Sequence, residues 1–389
     1  MFKCKVIGLS DCRQQWLSPE VLQVIAQGKV FSGGKRHHEI VANLLPQDAV
    51  WIDITVPVSN VLERYKEYDD IVVFASGDPL FYGFANTIKR ELPEMEMKVF
   101  PAFNSLQMLA HRLNMAYNDL FAVSLTGRPW DRFDEALIRG ERLIGCLTDR
   151  KKSPHEIWRR MQDFGFDNYI MHVGENLGNE ETERIGEYNN DMDYTLPNCI
   201  ILERKSLRRR SFGIPDEEFF LLDGRSKMIT KMPIRLASIA AMELAEKKSM
   251  WDIGFCTGSV SIEAKIAYPH LHIAAFEIRE EGKRLMEMNS RKFHAPGIET
   301  MIGDFSVADT SSLPAPDAIF LGGYGGRMNE ILVKAKKALT PSGCIVFNSV
   351  SEKSKKDFIS ITRLLGMKTE VVHVITVDNN NPITILKAR

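Results

Sequence analysis

The 389-residue sequence predicts two α/β domains in tandem, each built on a mostly parallel sheet, the second with Rossmann-like winding. Three observations carry that prediction. Short runs rich in Val, Ile and Phe alternate with helical patterns through the first 170 residues, as parallel strands joined by helices do. The alternation breaks at 206–225, where basic residues, Gly213, Pro215 and acidic residues crowd together, and it restarts after Met228. Glycine turns between a strand and a helix occur in both halves, in IVVFASGDPLFYG (71–83) and in WDIGFCTGSV (251–260). The expected boundaries are 1–205 for the first domain, 206–225 for a linker and 226–389 for the second domain.

In the first half, CKVIGL, AVWIDITV, IVVFAS, MKVFPA and RLIGCLT read as strands. SPEVLQVIAQG reads as a helix with Ser18 as N-cap, Pro19 in the first turn and Gly28 as the stop. SPHEIWRRMQDFG adds a capping box from Ser153 to Glu156. Between about 169 and 205, YIMHVGENL, ERIGEY and CIILERK are strands joined by polar turns, so antiparallel pairing is expected there. In the second half the helix IRLASIAAMELAEKK leads to the strand SMWDIG, a helix from Gly258 to Ala267 and the strand HIAAFEI. DAIFLGG, a helix at 328–338, CIVFNSV and two terminal strands near 370–377 and 382–387 complete that domain.

Composition narrows the function. A formal net charge of -1 supplies no global field for nucleic acid or anionic lipid, so neither is an expected partner. No apolar run approaches the roughly 18 residues of a membrane span, and MFKCKVIGLSDC lacks the apolar core of a signal peptide. The cysteines (Cys4, Cys12, Cys146, Cys199, Cys256, Cys344) are scattered without a CxxC pair. That pattern argues against a disulfide framework or a structural metal and points to a reducing cytoplasm. No metal is expected.

The turn at 252–258 is the most informative segment. Gly254 and Gly258 sit four apart between a strand and a helix, where glycine permits positive φ and close backbone approach by a ligand. The helix that follows aims free N–H groups at whatever binds. Glu277 ends the next strand, nineteen residues past Gly258, placed to accept both hydroxyls of a ribose. No Lys or Arg lies between Asp252 and Ala264, which suits a nucleoside without phosphates, so S-adenosylmethionine is favoured over NAD. The first turn, Ala75-Ser76-Gly77-Asp78-Pro79, reads as an N-capped helix start with Asp78 as the cap and Pro79 behind it. Such a helix start is also a platform for a ligand.

The wording of both halves is specific. Residues 6–205 resemble the tetrapyrrole methylase family through Ala75–Gly83, Phe100-Pro101-Ala102-Phe103-Asn104-Ser105, Gly127-Arg128 and Gly174-Glu175-Asn176-Leu177-Gly178. Residues 214–389 are similar to the class I methyltransferases that methylate and decarboxylate a later precorrin. The matching words are Ile229-Thr230-Lys231, Asp252-Ile253-Gly254, Thr257–Glu263, Gly303-Asp304 and Pro316–Gly323. The resemblance implies a tetrapyrrole-methylase-like α/β domain followed by a Rossmann-like class I methyltransferase domain. It implies two S-adenosylmethionine sites and a tetrapyrrole substrate, with carbon 5 methylated by the first half, and carbon 15 methylated and an acetate lost as carbon dioxide by the second. The candidate cofactor residues become Gly77, Asp78 and Ser105 in the first half, and Thr230, Gly254, Phe255, Cys256, Thr257, Gly258, Glu277 and Asp304 in the second. Four positions depart from the family wording: Gly8-Leu9-Ser10-Asp11-Cys12 replaces a glycine-rich loop, Thr126 replaces His, Asn104 replaces Ser and Cys256 replaces Gly.

A substrate rich in carboxylates calls for cationic lining. Arg128, Arg327 and Lys35-Arg36 are candidates, and Gly323 within GGYGG (322–326) is a candidate backbone cradle. His37-His38 reads as a pair of solvated histidines, since neighbours on a helix face apart. The expected assembly is a homo-oligomer. Two other readings are an RNA or protein methyltransferase with an accessory N-terminal domain, motivated by Arg204–Arg210, and a chain with only its C-terminal site active.

Overall fold

The computed structural model of the chain describes residues 3–12, 14–208, 212–225, 228–378 and 381–389. Its contacts group into two compact units, Met1–Arg128 with Glu141–Ile157 and Tyr169–Lys205, and Pro129–Gly140 with Trp158–Asn168 and Ser206–Arg389. Each unit is described by itself.

The first unit holds two five-stranded sheets. One is entirely parallel and contains β1 (Lys3–Leu9), β2 (Val30–Gly33), β3 (Val50–Asp53), β4 (Asp70–Ser76) and β5 (Glu96–Phe100) in the order β3-β2-β4-β1-β5. Alternate residues of β4 enter opposite cores. Ile71, Val73 and Ala75 pack with Val61, Tyr65 and Ile88, while Val72 and Phe74 pack with Val21, Ile25 and Phe31. Both faces are covered by helices, as an all-parallel sheet requires. The second sheet contains β6 (Leu120–Ser124), β7 (Leu143–Leu147), β8 (Tyr169–Glu175), β9 (Arg184–Glu187) and β10 (Asn198–Arg204) in the order β6-β7-β10-β8-β9. Only β6 and β7 run parallel; β10 pairs antiparallel with β7 and β8, and β9 antiparallel with β8.

The second unit is built on one seven-stranded sheet. It comprises β11 (Ser249–Ile253), β12 (His272–Glu277), β13 (Ile298–Ile302), β14 (Ala318–Leu321), β15 (Cys344–Ser349), β16 (Thr369–Ile375) and β17 (Ile383–Ala388), in the order β13-β12-β11-β14-β15-β17-β16. The first five are parallel and the last two are antiparallel. The order reverses between β11 and β14, and their carboxyl ends therefore flank a crevice.

The sequence reading and the structure differ at several places. Asp78 does not cap a helix: the helix starts at Phe84 with Gly83 as its N-cap, and the Asp78 carboxylate instead accepts from the Leu80 N–H at 2.9 Å within a turn. The stretch 206–225 is not an exposed strap throughout. Ile214 and Phe219 are buried in a cluster with Phe255, and Glu263 accepts from the N–H groups of Gly213 and Ile214 at 2.8 and 3.1 Å. Fully buried Arg235 joins that carboxylate at 3.1 Å, so the pair is both hydrogen-bonded and neutralised. Of the Arg204–Arg210 cluster, Arg209 and Arg210 lie outside the described residues. Among the described residues no helix is long and apolar enough to cross a membrane.

Candidate functional site

Two clefts open at the carboxyl ends of parallel strands, one in each unit. The first has a volume of about 580 Å³. Its floor is a three-way backbone crossing. The Gly77 N–H donates to Leu9 O at 2.8 Å, and Gly77 O accepts from the Ala102 N–H at 3.4 Å. A Cβ on Gly8 would lie 2.0 Å from Gly77 O and 2.7 Å from Ala102 N, and Gly77 itself holds φ +60. Glycine is required at both places by contact and by conformation. Above this crossing the helix Ser105–Arg112 begins, capped by Asn104. Its side chain accepts from the Gln107 N–H at 2.9 Å, while Gln107 Oε1 accepts from the Asn104 N–H at 3.0 Å. The Asn replacing Ser therefore keeps a complete capping box.

The structure brings Gly77 and Ser105 to this cleft together with Ser10, Asp11, Arg36, Thr126 and Asn198. Asp78 is not part of the lining. Arg128 faces an adjoining recess of about 440 Å³ with Arg90 and Tyr82; its guanidinium lies 5.3 Å from the Tyr82 ring and donates to Ser124 Oγ at 2.6 Å. Arg36 pairs with Asp11 at 3.0 Å. His37 is a residue that sequence reasoning misplaced: it lines the cleft rather than standing in solvent. Its Nδ1 accepts from the Gly34 N–H at 3.2 Å, which leaves the proton on Nε2, donated to Ser76 Oγ at 2.9 Å. Burial, and then the charge of Arg36, pull His37 down to about 4, so the ring is neutral near pH 7. His38 instead stacks on Trp51 at 4.1 Å between centroids.

The second cleft, about 330 Å³, sits at the reversal between β11 and β14. Gly254 holds φ +76, and a Cβ there would lie 2.6 to 2.8 Å from backbone atoms of Gly323. The Gly322 N–H donates to Ile253 O at 2.8 Å, so the GGYGG loop lies directly on the first glycine turn. Gly258, also φ +76, is the N-cap of the helix Ser259–Ala267. Cys256 takes φ +53, a conformation glycine would hold without strain.

Gly254, Glu277, Asp304, Gly323 and Arg327 converge on this cleft. The other candidates do not line it. Phe255 is buried in the apolar cluster with Ile262 and Met286. Thr257 is buried with Oγ1 unpaired, and Thr230 directs its carbonyl to Arg235 at 2.8 Å. Cys256 contributes its backbone N–H, which donates to Glu277 at 2.9 Å. Arg279 was missed. It lines the cleft and forks onto Glu277 through Nε at 2.8 Å and Nη2 at 2.9 Å. Burial pushes the Glu277 carboxyl up, but the hydrogen bonds and charge of Arg279 outweigh it and hold it below the usual range. The spacing Glu-x-Arg at a strand end was the available signal. Asp304 pairs with Arg327 and accepts from Ser306 N–H at 2.9 Å and Oγ at 2.8 Å, which lowers its carboxyl too, the Arg327 hydrogen bond being the largest cause. Among the described residues no cluster suits a metal ion.

Comparison with known proteins matches each half of the chain to a family of its own. A family model of tetrapyrrole (corrin/porphyrin) methylases matches residues 3–188, and one of precorrin methyltransferase domains matches residues 218–387. A precorrin-6Y C(5,15)-methyltransferase (decarboxylating) from a Sinorhizobium species is 30% identical over 355 residues, covering 89% of this chain and 84% of the relative. A cobalt-precorrin-7 C(5)-methyltransferase of Salmonella typhimurium is 27% identical over 203 residues, covering 51% of this chain and 98% of the relative. From the same organism, a cobalt-precorrin-6B C(15)-methyltransferase (decarboxylating) is 30% identical over 138 residues, covering 36% of this chain and 70% of the relative. With one relative spanning both halves, the chain belongs to the family of fused precorrin-6Y C(5,15)-methyltransferases (decarboxylating).

Proposed function

We propose that the chain methylates a precorrin at carbons 5 and 15 with S-adenosylmethionine and removes an acetate side chain as carbon dioxide, using one cofactor site in each cleft. The observation that carries this reading is the pair of separate glycine-turn clefts on unrelated sheets, in a chain similar to one two-reaction relative and two single-reaction relatives. The single-reaction relatives support carbon 5 for residues 1–205, and carbon 15 with decarboxylation for residues 226–389. The enzyme is proposed to work in the cytoplasm as a homo-oligomer.

The residues fit the cofactor. Both cleft volumes lie in the range of small-molecule sites. In the second cleft Glu277 suits a ribose diol and Gly254 gives backbone access. S-adenosylmethionine supplies a methyl group on a sulfonium, which a ring carbon displaces in line. The chain's part is to hold the ring carbon at near-attack distance and to exclude water. In the first cleft Gly77, Asn104 and Ser105 supply main-chain and capping contacts, and Arg36 there and Arg128 in the adjoining recess suit the carboxylates of the ring. The Gly322–Gly326 loop suits the departing acetate. When its C–C bond breaks, carbon dioxide leaves and the electron pair passes into the conjugated ring. Glu277 is saturated with donors and Asp304 is engaged by Arg327 and Ser306, so the chain's part in that step is orientation of the acetate rather than a base from either acid.

Equilibrium dialysis with labelled S-adenosylmethionine tests the reading. Two sites per chain are expected, the first weaker because Gly8-Leu9-Ser10-Asp11-Cys12 stands in place of a glycine-rich loop, with Ser10 and Cys12 where the family has glycine. A single site per chain would favour the alternative in which only the C-terminal half is active.

A further inference from the structure

A carboxylate offers about four lone-pair positions, and on Glu277 all four are taken. Oε1 accepts from the Arg279 backbone N–H at 3.1 Å and from Arg279 Nε at 2.8 Å; Oε2 accepts from the Cys256 N–H at 2.9 Å and from Arg279 Nη2 at 2.9 Å. A ribose diol brings two more donors. The backbone donors are fixed by the turn at 254–258 and by the end of β12, so the bonds that can yield are the two from the guanidinium. Two bonds released match two hydroxyls bound. Glu277 is 1% exposed at its side chain and Arg279 27%, so the acid stays and the arginine swings outward. The groups facing that guanidinium besides Glu277 are Cys256 and Met228, whose Sδ lies 3.6 Å from Nη1.

Resting on the proposed cofactor reading, we infer that Arg279 changes partner during the reaction cycle: cofactor binding at Glu277 releases its guanidinium to receive a carboxylate of the tetrapyrrole. Cofactor therefore binds before substrate in the second cleft, because while Glu277 holds the Nε and Nη2 edge, only the Nη1 side, which faces Met228 Sδ, is left for a substrate carboxylate. The Asp304–Arg327 pair gives the same cleft a second cation held by an acid.

The test uses the full-length enzyme. Titration calorimetry with S-adenosylhomocysteine should give two binding steps, and the step lost in Glu277→Gln belongs to the second cleft. If Glu277→Gln changes neither step, the ribose assignment itself fails, independently of Arg279. In Arg279→Gln that step should keep or gain affinity, while KM for the precorrin, followed by carbon dioxide release, rises about tenfold or more. Arg279→Lys, which keeps the charge but not the fork, should restore part of that KM. Dead-end inhibition by the methylated product should be uncompetitive against S-adenosylmethionine. Loss of S-adenosylhomocysteine affinity in Arg279→Gln, an unchanged precorrin KM in both variants, or random-order inhibition overturns the inference.

Discussion

Asp252, next to last in β11, is fully buried, with Oδ2 accepting from Ser261 Oγ at 2.6 Å and Oδ1 unpaired. Burial pushes its carboxyl up to about 7, against the hydrogen bonds from Ser261. The folded value lies above the unfolded one, so its contribution to stability is full below about pH 4 and is lost as pH rises through about 7. Asp252→Asn keeps an acceptor for Ser261 and removes the charge. Its thermal midpoint should match wild type near pH 4 and exceed it by several degrees at pH 8, on the order of 4 kcal/mol. Parallel midpoint curves across that range would show that the acid is not buried as described. The two glycines beside it separate by what their Cβ would strike. At Gly254 it meets the Gly323 backbone, which cannot yield without moving the Gly322–Gly326 loop; at Gly258 it meets Met286 Sδ at 2.6 Å, the end of a flexible side chain. Both carry the cost of positive φ, about 1–3 kcal/mol. Gly254→Ala should therefore abolish carbon dioxide release, while Gly258→Ala retains a measurable rate; the reverse order would contradict the contact between the two loops.

The strands that could be read from sequence were those with long β-branched runs. CKVIGL, IVVFAS and SMWDIG became β1, β4 and β11 with little change of boundary. β2 escaped because four residues following Gly28-Lys29 carry no alternation, and β13, IETMI, because it is half polar. Glu277 was legible as the end of a strand; its pairing with Arg279 was not, because a fork two residues away depends on the backbone bending back after β12. The same holds for Gly8. Nothing in GLSDC announces that its first residue lies under Gly77 and Ala102, since that contact joins the ends of three strands far apart in sequence. The crossing makes a sharp prediction. Gly8→Ala forces backbone displacement at Gly77, so carbon-5 methylation should fall at least a hundredfold, about 3 kcal/mol in barrier. Asn104→Ala, which loses only a cap worth about 1 kcal/mol, should slow it far less. Equal losses would mean that the cap, rather than the crossing, shapes the cleft.

Taken across the whole molecule, the two clefts share no residue: the first is lined from both sheets of the first unit, the second from the seven-stranded sheet. Chemistry in one half should survive damage to the other. Asp78, buttressing a turn outside the lining, is a poor probe of the first cleft; Gly77, with Asn104 Cα 3.0 Å from its would-be Cβ, is a direct one. Gly77→Val should give product with a single added methyl and with carbon dioxide still released. Gly258→Val, whose branched side chain adds to the strain of φ +76, should give a single added methyl with the acetate retained. Mass spectrometry of the tetrapyrrole separates the two products by the mass of carbon dioxide, and cofactor dialysis should count one site in each variant. Should either variant lose both methylations while keeping one cofactor site, the reactions would be coupled in sequence, the second half accepting only what the first has methylated or the reverse. The variant that loses both methylations would then identify which carbon is methylated first.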